Sequence, residues 1–140
     1  MCHPDRIGSL PAPGSCQIRQ ADNLKYREYA PLEQSHSKRL AIITDIYGCN
    51  EFYQSFATFF CAQGWTAYLV DLFSDLGELK EVTREAAFER RHKLRDGETI
   101  TRLQRFIENQ QIELGFRQFF EGFLAADGLG HLMTFASQLP

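Results

Sequence analysis

The 140-residue chain carries a formal charge of −3 and a 44% hydrophobic share, a balance ordinary for one compact globular domain. Its Lys and Arg residues are scattered among carboxylates, which leaves no basic stripe for nucleic acid. No apolar run approaches the roughly 20 residues of a membrane span, and the start MCHPDRIGSLPAPGSC lacks a charged stretch followed by an apolar one, so a cytoplasmic protein is expected.

Residues 1–15 contain Pro4, Pro11 and Pro13 with Gly8 and Gly14, and read as an irregular arm ahead of a single domain over 16–140. Cys2, Cys16, Cys49 and Cys61 lack CxxC spacing and a secretory context, which favours reduced thiols. Cys2 and His3 beside Cys16 do not give the usual chelate spacing, so neither a metal nor a cofactor is expected.

Gln17–Ala21 and Leu24–Tyr29 alternate loosely around Asp22-Asn23 and predict a short hairpin. Residues 31–38 read as a polar turn. Arg39-Leu40-Ala41-Ile42-Ile43-Thr44 is a continuous apolar run, as in a strand buried on both faces. After DIYG, Asn50 can cap a helix in which Phe52, Phe56, Phe59 and Phe60 recur at helical spacing, with Gly64 as terminator. Trp65–Val70 is a second apolar strand, ended by Asp71. Strand, helix and strand in so few residues form a βαβ unit, hence an α/β class with three or four mostly parallel strands and helices on both faces.

Residues 81–94 predict a moderately amphipathic helix that Asp96-Gly97 breaks, and Thr99 to Gln110 resumes with Ile100, Leu103, Phe106 and Ile107. Ile112 to Phe116 is a candidate strand, and Phe123–Ala126 a short helix between glycines.

In open α/β sheets ligands bind beyond the carboxyl ends of strands, where DIYGCN sits. Gly48 permits a positive φ, and free amides at the start of the next helix can face an anion or a developing oxyanion. A plain strand-to-helix turn with an N-cap explains Gly48 and Asn50 fully and is favoured on these two residues alone. Cys49, near a helix start, is a candidate nucleophile without an evident base, whereas Cys61 reads as packed. Arg90, Arg91, His92 and Lys93 form either a carboxylate-binding cluster or a solvated helix face.

The stretch LAIITDIYGCNEFYQSFATFFCAQGWTAYLVDLF, residues 40–73, resembles the N-terminal half of the dienelactone hydrolase family of α/β-hydrolases. That family has an acid-aliphatic-(Phe/Tyr)-Gly-x-Asn turn, a helix, a Gly-aromatic step and an APDLF-like strand end. The resemblance continues more diffusely through EAAFERRHKL to about Ile112. It implies a partial α/β-hydrolase sheet preceded by the hairpin, and hydrolysis of a small-molecule ester or lactone through an acyl-enzyme. By the same resemblance the Ile46 backbone N–H contributes to an oxyanion hole. Asp45 takes the place of a Glu that contacts the nucleophile; its alternative role is a solvated or turn-bonding acid, and Asp71 reads as a strand-end turn acid.

The family's Gly-x-Cys-x-Gly-Gly elbow falls on Gly115-Phe116-Arg117-Gln118-Phe119, where Arg117 stands in place of the thiol and cannot act as a nucleophile. His131 comes too early to complete a triad and reads as a surface or packing residue. The nucleophile is therefore unknown. The resemblance implies a truncated hydrolase domain, completed by another chain or lost through a disrupted reading frame. The competing expectation is a non-catalytic α/β remnant acting as a binding or interaction module. A half-sheet with an open apolar edge predicts self-association.

Overall fold

A computed structural model of the protein describes residues 10–32, 38–112 and 134–137. Gln17–Ala21 (β1) and Leu24–Tyr29 (β2) form the expected hairpin, in register from Gln17 opposite Glu28 to Ala21 opposite Leu24. Asp22 and Asn23 turn the chain at φ 50° and 63°, the left-handed pair that a two-residue hairpin loop requires and that Asn and Asp tolerate.

Arg39–Ile43 (β3), Glu51–Ala62 (α1) and Thr66–Asp71 (β4) make the βαβ unit, with β3 and β4 paired in parallel from Arg39 opposite Thr66 to Ile43 opposite Val70. Arg84–His92 (α2) and Asp96–Asn109 (α3) follow, and Thr134–Ser137 (β5) adds a short strand. The sheet order is β1-β2-β4-β3-β5.

Three expectations change. The sheet is mixed instead of mostly parallel, because β2 docks antiparallel on β4 and β5 antiparallel on β3. The hairpin thus extends the sheet as well as preceding it. The edge of β3, expected to be open, pairs with β5 from Leu40 opposite Ser137 to Ile43 opposite Thr134. Finally, the break between the two helices falls at residues 93–95, and Asp96-Gly97 belongs to the first turn of α3. Asp96 and Glu98 sit in the first turn, where carboxylates favour the helix dipole, and Asp96 also pairs with Arg91 at 2.9 Å.

Alternation along the strands splits the core between the two faces. Tyr29, Leu40, Ile42, Ala67 and Leu69 pack under Tyr53 and Ala57 of α1; Leu24, Tyr26, Ala41, Ile43, Tyr68 and Val70 pack under Leu103, Phe106 and Ile107 of α3. Each fully buried large apolar side chain contributes about 1.5–3 kcal/mol. The central strands β3 and β4 are therefore covered on both sides, which is why their sequences run largely apolar.

No helix among the described residues is long and apolar enough to cross a membrane. Residues 10–15 have no regular structure. The candidate strand at Ile112–Phe116 beyond its first residue, the helix at Phe123–Ala126, the segment from Gly115 to Gly122, His131, Cys2 and His3 lie outside the described residues.

Candidate functional site

The polypeptide leaves β3 at Ile43 and reaches the first turn of α1 at Glu51 through a turn closed by its own groups. The Gly48 N–H donates to the Asp45 carbonyl at 3.1 Å, and the Asn50 N–H to the Gly48 carbonyl at 2.8 Å. Gly48 has φ +78°, a conformation that costs an L-residue strain. Asn50 is the N-cap: its Oδ1 accepts from the Tyr53 N–H at 3.2 Å, and Glu51 stands in the first turn. From α1, the Tyr53 hydroxyl accepts the Asp45 N–H at 3.3 Å and Gln54 Nε2 donates to the Cys49 carbonyl at 3.0 Å, so the helix start holds the turn that precedes it.

Asp45 is a turn-bonding acid. Its Oδ1 accepts from the Tyr47 N–H at 2.9 Å, two residues on, the pattern that lets a short carboxylate fix a local turn. Ile46 is buried, and its carbonyl accepts from Arg90 Nη2 at 3.0 Å, while its N–H meets no acceptor among the described residues.

The sequence singled out Arg90 within a basic cluster but did not disclose its bracing role. Standing near the end of α2, it donates from Nη1 to the Gly77 carbonyl at 3.0 Å and from Nη2 to Ile46, and its guanidinium lies 4.0 Å above the Phe73 ring. Nη2 is 3.1 Å from the point a Cβ on Gly48 would occupy. One cation therefore ties α2 to the turns that follow both β3 and β4. Nothing local in RRHK signals this, because the Gly48 partner is forty-two positions upstream. Neighbouring basic residues go elsewhere: Arg91 pairs with Asp96, Lys93 with Glu89 at 3.5 Å, and His92 is exposed. The four do not converge on a common carboxylate site.

Cys49 lines the cleft beside this turn. Its Sγ–H donates to the Val70 carbonyl at 3.6 Å, and burial, reinforced by the Asp71 carboxylate, pushes its pKa up to about 12. The resting thiol is thereby held in its neutral form, and attack from it would need a base to take the proton. Cys61 is also pushed up by burial and packs against the α1-side core. Asp71 accepts from the Phe73 N–H at 3.0 Å, the strand-end turn role expected of it, and burial raises its pKa. Among the described residues no group of His, Cys, Asp and Glu has the arrangement of a metal site.

The geometry thus offers the Ile46 N–H, without an acceptor among the described residues, in a turn braced by a cation at the carboxyl end of a central strand. Two curated proteins are similar to the chain over part of their length. Carboxymethylenebutenolidase 2 of Cupriavidus pinatubonensis is 50% identical over 76 residues, a stretch equal to 54% of this chain and 32% of that protein. The chain resembles carboxymethylenebutenolidases. A second, the carboxymethylenebutenolidase of Rhodococcus opacus, is 27% identical over 112 residues, which make up 76% of this chain and 44% of that protein. The chain thus spans about a third of the first relative and less than half of the second. No family model matches the chain, and no solved structure matches it.

Proposed function

We propose that the chain belongs to a hydrolase lineage acting on carboxylic esters or lactones, and that its β3–α1 turn supplies one oxyanion donor, the Ile46 N–H, to an acyl-transfer centre. The observation that carries this reading is the pairing of that unengaged amide with 50% identity, over 76 residues, to a protein named as a carboxymethylenebutenolidase. An amide fixed before reaction stabilises a developing oxyanion without reorganising during the step. Arg90, Tyr53 and the Asp45 carboxylate hold the peptides on either side of it.

In this reading the attacking group lies on this chain, beyond its described residues. It is not assigned to Cys49, whose thiol is buried and donates to the Val70 carbonyl. In this reading Asp45 shapes the turn and does not touch the nucleophile.

The second reading, a non-catalytic binding module of the same lineage, is favoured by the same two facts: a neutral Cys49 and a turn-engaged Asp45. Brief exposure to an activated ester, followed by intact-mass spectrometry and adduct mapping in native and urea-unfolded protein, separates the two. The hydrolase reading expects one stoichiometric acyl group on one residue, in the native sample alone. Absence of an adduct, or equal labelling of several thiols in both samples, overturns it in favour of the binding module.

A further inference from the structure

The hairpin register gathers a thiol, a guanidinium and a phenol on the α1 face of the sheet. β1 and β2 pair from Gln17 opposite Glu28, so Cys16, the residue before β1, falls opposite Tyr29 when the register is extended by one. Side chains of a cross-strand pair share a face, and Arg27, two positions from Tyr29, shares it too. Cys16 and Tyr29 accordingly pack with the α1-side core, and Arg27 Nη1 donates to the Cys16 sulfur at 3.8 Å.

Two features set this thiol apart. Cys49 donates to the Val70 carbonyl and Cys61 sits in the apolar packing of α1, and among the described residues neither accepts a hydrogen bond from a cation. Cys16 does, and it is half-buried, opening on a groove of about 410 Å³ shared with Ser15, Arg19 and Glu28. Arg19 and Glu28 pair with each other at 2.7 Å, so that carboxylate does not compete for Arg27. The second feature is Tyr29, which is 1% exposed and whose hydroxyl has no hydrogen-bond partner among the described residues. Leaving a buried hydroxyl unpaired is costly, and such an orphan marks a place where a further acceptor fits. Burial raises its pKa, and hydrogen bonding to an ionised Cys16 raises it further, so this donor is directed at the sulfur.

We propose that Cys16 is a site of reversible oxidation by hydrogen peroxide, its sulfenate held by Arg27 and the Tyr29 hydroxyl. The thiolate sulfur attacks one peroxide oxygen, forming the S–O bond as the O–O bond breaks. Sulfur loses two electrons, and the leaving hydroxide takes up the proton given by the thiol, so thiol and peroxide become sulfenic acid and water. Arg27 faces negative charge on sulfur before attack, and Tyr29 gains in the added oxygen the acceptor it lacks. A small-molecule thiol reverses the step through a mixed disulfide. The site uses neither the Ile46 amide nor an ester, so it is independent of the acyl-transfer reading.

The full chain is exposed to hydrogen peroxide with dimedone, which traps sulfenic acids, and the adduct is mapped by mass spectrometry in native and urea-unfolded protein. Cys16 is expected to be trapped first, and faster in the native sample. Arg27→Gln should slow trapping about tenfold or more, with Arg27→Lys retaining most of the rate. Tyr29→Phe should shorten the lifetime of the sulfenic acid, read by adding dimedone after a delay. Circular dichroism checks that each variant is folded, and Tyr29→Phe decides the matter if Arg27→Gln does not fold. Trapping first on another cysteine, equal Cys16 trapping in native and unfolded protein, an unchanged rate in folded Arg27→Gln or an unchanged lifetime in folded Tyr29→Phe each overturns the proposal.

Discussion

Arg90 Nη2 donates to the Ile46 carbonyl at 3.0 Å and sits 3.1 Å from where Gly48 would carry a Cβ, so one glycine both shapes the turn and admits the cation that braces it. A Gly48→Ala substitution meets a left-handed φ of +78° as well as the guanidinium. Urea denaturation should show a loss of about 1–2 kcal/mol from the backbone conformation, with a further cost as Arg90 is displaced. In Arg90→Ala that further cost is already absent, so the two substitutions should combine to less than their sum. Strict additivity would show that Arg90 does not feel Gly48.

The Asn50 cap offers a simpler test of the turn. Its side chain satisfies the Tyr53 N–H, and Asn50→Ala should cost about 1 kcal/mol in the same denaturation, with Asn50→Ser recovering most of it. Equal stability of all three proteins would mean that α1 begins elsewhere.

Cys49 should be slow to alkylate. Its pKa is pushed from an ordinary 9.0 to about 12, so at pH 8 the thiolate fraction falls by about three orders of magnitude and iodoacetamide labelling slows accordingly. Because the native state holds the proton longer than the unfolded state, the stabilising contribution is complete below pH 9.0 and is lost as pH rises towards about 12. Cys49→Ala should flatten that alkaline decline. Labelling of native Cys49 at the rate of the unfolded chain would contradict the burial.

Asp71 has the same sign in a lower pH window. Burial raises its pKa above 3.8, outweighing the Phe73 N–H and the Arg90, Lys25 and Arg27 charges that lower it. Its contribution is therefore most favourable below pH 3.8 and declines as pH rises through the native pKa. Asp71→Asn keeps an oxygen for the Phe73 N–H and removes the buried charge. Its unfolding midpoint is expected to exceed the parent's at pH 7, with the gap closing below pH 3.8. A lower midpoint at pH 7 would show that the cations gain more from Asp71 than burial costs.

Phe106 anchors α3 to the sheet, with its ring centroid 4.8 Å from Tyr26 and 5.7 Å from Tyr68 and only 2% of its surface exposed. Phe106→Ala should destabilise by about 3–5 kcal/mol and Phe106→Leu by much less, as read from denaturant midpoints. A loss below about 1 kcal/mol for the alanine would mean that α3 is not packed on this face.

The local elements were legible in the sequence because the physics that forms them is local. Asp22-Asn23 forces a tight hairpin turn, Asn50 caps α1, Gly64 terminates it at φ +90°, and the apolar runs of β3 and β4 have only buried positions to occupy. Gly48 was readable for the same reason: a positive φ is a property of one residue. Asp96-Gly97 misled because an aspartate near a glycine suits a loop and a helix start alike, and the pairing with Arg91 favours the helix start.

What tertiary structure decided was every relationship between distant parts of the chain. Strand direction depends on which edge a hairpin finds, so the antiparallel docking of β2 on β4 and of β5 on β3 was not written in either strand alone. The neutrality of Cys49 follows from burial, reinforced by the Asp71 carboxylate, and the Asp45 carboxylate is engaged by the Tyr47 N–H while its own N–H donates to the Tyr53 hydroxyl. Arg90 is the clearest case. Its neighbours in RRHK face solvent or pair with acids, and only the fold places its guanidinium against Ile46, Gly48, Phe73 and Gly77, because burial of a side chain is set by what packs around it and not by the residues beside it.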